Sequence, residues 1–392
     1  MLKPIGLASF TTRSHVAQKA SEEPVDRFEP RVVILGGGYA GMAAARGLAE
    51  VPASVTLVDQ RPSQTRKLML WQVAVGNEVA QRRSEAPLAE LLEETGASFR
   101  QAEVNQVDAQ AHQVHLADGS SLPYDYLVVA LGSKPAFFGH PEWADHMLTM
   151  NVSEDAFRLR QTVQAHAHQA LGLEGEARRD CLRFVVIGGG ATGVELAGVV
   201  HEVVQQVDPA LLDSLSIKLV HSRERILSGI PEEVSRQVTD ALERKGIELC
   251  LNQRVTEVGP GQVRLATGEV LQATEILWGA GVEAPALLQD LGKTDRMGRV
   301  EVTDQLNLPD HPEVFVVGDA ALAQAGGKAV PPDRFAAVQQ AGQAVENIKC
   351  AIEHQPLQPF AFREREGWNV FGPTRIPTVR VERGSSWDTL ES

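Results

Sequence analysis

Cysteine is scarce in these 392 residues: Cys181, Cys250 and Cys350 are the only three, and none pairs with another in a C-x-x-C or C-x4-C spacing. That excludes a disulfide framework and a cysteine metal knuckle, and no metal site is expected. A reducing compartment is the default for such a chain. Long apolar runs are missing as well. No stretch reaches the roughly 18 apolar residues that a spanning helix needs, so no transmembrane segment is expected. Basic charge is in deficit: 37 Lys and Arg against 51 Asp and Glu leave a formal net charge of -14. A nucleic-acid partner, which wants a basic footprint, is therefore not expected, nor is polybasic attraction to anionic lipid. Acids are absent before Glu22, where Lys3, Arg13 and Lys19 lie among Ser and Thr. Without an amphipathic repeat, residues 1–30 read as a disordered N-terminal extension rather than an organellar transit peptide.

What is present is organised around Arg31-Val-Val-Ile-Leu-Gly-Gly-Gly-Tyr-Ala-Gly41. An apolar run enters Gly36, Gly38 and Gly41 in G-x-G-x-x-G spacing, an Ala-rich helical run follows, and Val55-Thr-Leu-Val ends on Asp59. Strand, glycine turn, helix, strand and acid form a dinucleotide-binding pattern. Gly36 permits the tight turn, Gly38 lets backbone approach a pyrophosphate, and Gly41 lets helix and strand pack closely. The helix N-terminus offers N–H groups and a positive dipole end to the phosphates. Asp59 would accept both ribose hydroxyls.

The same order then recurs. Arg183-Phe-Val-Val-Ile187 runs into Gly188, Gly190 and Gly193, followed by a helix to about Val207 and a strand at 217–220. A meander follows in each copy, with Gln262-Val-Arg-Leu-Ala-Thr-Gly268 matching Gln113-Val-His-Leu-Ala-Asp-Gly119. Each copy closes on a buried strand, ending at Ala130-Leu-Gly132 in the first and Gly279-Ala-Gly281 in the second. The expected fold is α/β: two Rossmann-like dinucleotide-binding domains, the second inserted in the first, with β-meander crossovers. Val314-Phe-Val-Val-Gly-Asp319 reads as a strand that returns to the first unit, where Asp319 beside Gly318 suits a ribityl hydroxyl and neighbouring N–H groups suit a phosphate.

Together these residues resemble the two-dinucleotide-binding-domain flavoproteins, and among them the type II NADH:quinone oxidoreductases. The likeness is carried by residues 32–41, 70–76, 185–198, 277–284 and 317–321. It implies FAD in a domain of residues 31–150 and 285–350, held by Gly36, Gly38, Gly41, Asp59, Ala130, Gly132, Gly318 and Asp319. It implies NADH or NADPH as substrate of an inserted domain, 151–284, at Gly188, Gly190, Gly193, Gly279 and Gly281. A quinone is the implied acceptor: hydride passes to flavin N5, then two electrons pass on. Disulfide reductases of this fold carry cysteine soon after the first acid, and residues 60–100 contain none. Thiol chemistry is therefore not expected. Two other readings stay open, a reductase of a small electron-carrier protein and a flavin-bearing interaction protein with weak oxidase activity.

Glu195, expected on the first turn of the second helix, is placed by the resemblance near the nicotinamide–flavin contact. The second unit's strand ends in His221-Ser-Arg-Glu-Arg225 rather than an acid. His221 and Arg223, with Ser222 and Arg225, would favour a 2′-phosphate, so NADPH is expected to serve at least as well as NADH. Gln339 and Gln340 keep half of the family's quinone-side pattern, and Arg334-Phe335 replaces the leading Ala-Gln. The tail, 351–392, shows no apolar helical face after residue 362, where the family carries membrane-lying helices; a soluble variant and a tail out of its native reading frame are the alternatives. The expected location is cytoplasmic, with peripheral contact at the inner face of the membrane and a homodimer both left open.

Overall fold

The computed structural model describes residues 29–363 and the backbone of one short strand pair, Gly367–Trp368 with Val379–Arg380. The readings of residues 1–28 and of most of the tail beyond 363 lie outside the described residues.

Two parallel sheets form the molecule. The first contains β1 (Arg31–Leu35), β2 (Ser54–Asp59), β3 (Ser98–Gln101) and β4 (Tyr126–Val129). Between β1 and β2 runs α1 (Tyr39–Gly47). The inserted part contributes α2 (Ser153–Leu171), β5 (Arg183–Ile187), α3 (Ala191–Val207), β6 (Ser216–Val220), α4 (Glu232–Arg244), β7 (Ile247–Cys250) and β8 (Glu275–Trp278). The chain then returns as β9 (Val314–Val316) and ends its described part with the long helix α5 (Arg334–Ile352).

The first sheet has the order β9-β4-β1-β2-β3 and the second β7-β6-β5-β8. The orders correspond: in each, the strand before the glycine turn lies between the strand after its helix and the strand after the meander. β9 pairs with β4 in parallel, Val314 opposite Leu127, so the returning strand completes the first sheet. At the matching edge of the second sheet, Leu148 bridges Leu277 in parallel. The central strands read as continuous apolar runs because both faces are covered. In the second sheet Phe184, Val186 and Leu219 pack with the helices, and Val185, Ile187 and Val220 pack with the meander residues Val258, Val263 and Leu265. Val32, Ile34, Leu35, Phe184, Val185 and Val186 are all completely buried.

The meanders repeat in detail. Val104–Asp108, Gln113–Leu116 and Ser121–Pro123 pair antiparallel, as do Val255–Gly259, Gln262–Leu265 and Val270–Gln272. Each first pair carries a register shift at the same place, Val104/Gln106 in one and Val255/Glu257 in the other. The chain breaks at Ala102–Glu103, so that β3 stays in the sheet and the meander, starting at Val104, leaves it.

The units are linked where Lys134–Pro135 pairs antiparallel with Val282–Glu283. They also share a core. Leu70, Val73, Ala74 and Ala80, which precede the insertion, are buried with Phe184, Leu196 and Leu277 of the second unit. The helix α2 was not read from the sequence. Its buried residues, Ala156, Leu159, Val163, Ala167 and Ala170, follow a helical repeat, so the signal was there. Asp155 Oδ2 secures the start of α2, accepting from Thr149 Oγ1 at 3.0 Å and Asn151 N–H at 2.8 Å.

Candidate active site

The two glycine turns have one geometry. Gly36 and Gly188 sit at φ +100° and +112°, where a side chain is strained. A Cβ on Gly36 would strike the carbonyl of Ala130, and one on Gly188 that of Gly279. A Cβ on Gly41 would run into Gly36 O, and one on Gly193 into Gly188 O. These four glycines are thus demanded by the protein's own backbone. The middle glycines are different. Gly38 and Gly190 have nothing within 4 Å of a built Cβ, so both face open space. Each is the N-cap of the following helix, with no side-chain cap and no acid in the first turn. The first N–H groups of α1 and α3 are thus free for an anion, with room for backbone and phosphate to meet. Ala130 and Gly279 back the turns through their carbonyls. Gly132 lies in the open after β4, while Gly281 lies against the Phe138 ring.

Asp59 closes the first site as the pattern requires. Its Oδ2 accepts from Gly37 N–H at 2.7 Å and its Oδ1 from Arg61 N–H at 2.9 Å. His221 occupies the same position in the second unit: its Nδ1 accepts from Gly189 N–H at 3.1 Å. Arg223 lies beyond it, with Nη1 on Ser228 Oγ at 2.9 Å. Arg225 is used differently from the sequence expectation. Its guanidinium donates to the carbonyls of Leu227, Ser228 and Ile230, so it shapes the loop and is not free to bind phosphate.

The returning strand delivers the third element. After β9, Gly318 N–H donates to Gln340 Oε1 at 2.6 Å, and Asp319 Oδ2 accepts from Ser133 Oγ at 2.7 Å. Lys67 joins this group by donating to Ser133 O at 3.2 Å. Loss of water around its ammonium lowers the proton affinity of Lys67, and nearby Asp319 works against that. Lys67 ends a polar stretch, Arg61 to Lys67, that carries no motif. No periodicity marks it, because only the fold brings residue 67 to residues 133 and 319.

Glu195 falls just past the first turn of α3, since that helix begins at Ala191 rather than Val194. Among the described residues its carboxyl has no hydrogen-bond or ionic partner, and burial pushes its pKa up to about 8. The acid therefore holds its proton at neutral pH. Gln340 is 3% exposed, and its side-chain oxygen is bound to Gly318 N–H. Gln339 is held by the chain beyond α5: it donates to Arg363 O at 3.2 Å and accepts from Arg363 N–H at 3.0 Å.

No cysteine stands at either glycine turn. Buried Cys181 donates to His166 O at 3.4 Å, and burial raises the pKa of both the Cys181 and the Cys250 thiols. Both are thereby held in the unreactive form.

The pyridine nucleotide-disulphide oxidoreductase family model matches residues 30–346. The chain is 30% identical over 376 residues to the type II NADH:quinone oxidoreductase of Haemophilus influenzae, covering 85% of this chain and 83% of that one. The chain belongs to this family of oxidoreductases. It is also 30% identical over 359 residues to the demethylphylloquinone reductase NdbB of Synechocystis, covering 85% and 82% of the two chains. In fold it resembles NDH2 of Plasmodium falciparum, solved in complex with NADH: the TM-score is 0.76 at 16% identity, over 87% of each chain. The family's name refers to disulphide chemistry, but this member has no cysteine between residues 60 and 100 to perform it. No helix among the described residues is long and apolar enough to cross a membrane.

Proposed function

We propose that this chain is an FAD-dependent NAD(P)H:quinone oxidoreductase, with FAD on the first glycine turn and the nicotinamide nucleotide on the second. One observation carries the reading: both turns keep an uncapped helix N-terminus beside a middle glycine facing open space. FAD held on the first turn would supply the redox chemistry, hydride acceptance at N5 and delivery of the electron pair to the quinone. The chain's own residues bind and orient. Asp59 is placed to accept the adenosine ribose hydroxyls, and Asp319, fixed by Ser133, a ribityl hydroxyl. Lys67 supplies a cation beside Asp319. Glu195, neutral at pH 7, adds no negative charge beside the pyrophosphate and can donate a hydrogen bond toward the nicotinamide. Gln340 acts through Gly318 and is a positioning residue. Gln339, which donates to and accepts from the Arg363 backbone, is available to a quinone only if that pair opens.

The test is anaerobic. Purified yellow protein is mixed with NADH or NADPH, flavin bleaching is followed, and a short-chain quinone is added. Fast bleaching and quinone-driven return of colour are expected. Fast bleaching without return would transfer the assignment to a protein acceptor. Absence of bleaching would remove the second turn as a reductant site.

A further inference from the structure

Two buried polar atoms near the end of β6 have no hydrogen-bond partner: His221 Nε2 and Gln253 Oε1. The residues are joined through the backbone, since Gln253 N–H donates to His221 O at 2.9 Å. The imidazole is also constrained on its other side. Its Nδ1 accepts from Gly189 N–H at 3.1 Å, so the neutral ring carries its proton on Nε2. Loss of water, and then the Arg223 charge, lower the ring's proton affinity and keep it neutral. In the first unit the same backbone task falls to Asp59, which takes Gly37 N–H at 2.7 Å.

Histidine thus does a carboxylate's structural work with the opposite chemistry. The atom left over on an aspartate is a negatively charged acceptor, suited to two ribose hydroxyls and repelled by a 2′-phosphate. The atom left over on His221 is an uncharged donor. Its unmet hydrogen bond is a cost in the free protein that a hydroxyl or phosphate oxygen would remove. The neighbours agree. Arg223 is exposed and commits one nitrogen to Ser228, leaving other guanidinium N–H groups for an anion. Glu224 is the only acid from 221 to 225, and it is exposed with no hydrogen-bond or ionic partner.

We infer that His221 sets the nucleotide specificity of the second site: a neutral N–H donor standing where an acid would stand admits a 2′-phosphate, so the site accepts NADPH as well as NADH. This rests on reading the second glycine turn as a nicotinamide-nucleotide site.

Titration calorimetry of the FAD-loaded protein with NAD+ and NADP+ tests it by binding alone. The wild type should bind both, with dissociation constants within about tenfold of each other. His221→Asp can keep the Gly189 bond while adding a charge, and should weaken NADP+ relative to NAD+ by about tenfold or more. His221→Asn, neutral and with amide donors, should hold the wild-type ratio. An unchanged ratio in a folded His221→Asp variant would overturn the inference, as would a wild type that rejects NADP+. Flavin bleaching separates this from the redox reading. If the ratio moves as expected but neither reduced nucleotide bleaches the flavin, the specificity role stands and the redox assignment falls. If both bleach it while the ratio ignores residue 221, the redox assignment stands and the specificity role falls.

Discussion

At the scale of single residues, the glycines divide into those required by the protein and those required by its ligands. Gly41 and Gly193 are required for closure, because a methyl group there would overlap the turn's own carbonyl. Gly38 and Gly190 have room for one in the free protein. Gly190→Ala should therefore fold and keep its flavin while raising KM for NADH at least tenfold; Gly193→Ala should yield little folded protein. Equal behaviour of the two variants in expression, flavin content and kinetics would contradict the division. Glu195 gives a second prediction at this scale. Its folded pKa of about 8 lies above the ordinary carboxylate value of 4.5, so the folded state holds the proton more tightly. The stabilisation from this proton is fully present below pH 4.5 and is lost as pH rises through about 8. Glu195→Gln should flatten that part of the profile of Tm against pH in flavin-free protein. It should also remove any step near pH 8 in the rate of flavin reduction. Retention of both features in the variant would assign them to another group.

At the scale of elements, α5 shows one helix doing two jobs through polar residues. Gln340 fixes the turn that presents Asp319. Asn347, fully buried, donates to Gln305 O and Gln358 O and accepts from Gln358 N–H at 2.8 Å, holding the segment beyond the helix. Removing either side chain leaves a buried backbone group without its partner, which costs roughly 1–3 kcal/mol. Gln340→Ala should lower Tm and also weaken FAD retention, whereas Asn347→Ala should lower Tm with FAD retention unchanged. Comparable flavin loss in both variants would mean that Gln340 acts through general stability only. The helix boundaries themselves were legible where glycine turns and apolar runs mark them. α1 begins at Tyr39, within the first glycine turn, and α3 ends at Val207 as expected. What α5 touches was not legible, because the backbone groups that Gln339, Gln340 and Asn347 bond lie 11 to 42 residues away in sequence.

At the scale of the molecule, the two sheets are not independent bodies. Leu70, Val73 and Ala74 belong to a helix that precedes the insertion, and they are buried in the inserted unit's core. Leu70→Ala should cost about 2–5 kcal/mol by leaving a cavity there. A calorimetric scan of the flavin-loaded wild type should show one cooperative transition, shifted as a whole in the variant. Two separated peaks, only one of them moved, would show that the units unfold independently.

The sequence by itself determined the duplicated order of elements, the two glycine turns, the return of the chain at Val314 and the absence of a dithiol. Each is written in local signals: apolar runs, glycine spacing and residue identity. Only the tertiary structure decided which of the marked residues are free for ligands. Arg225 is bound to loop carbonyls, Gln340 to Gly318 and Gln339 to Arg363, while Lys67 arrives beside Asp319 unannounced. The physical reason is that availability depends on which donor meets which acceptor. Those meetings join residues far apart along the chain, so no local pattern records them.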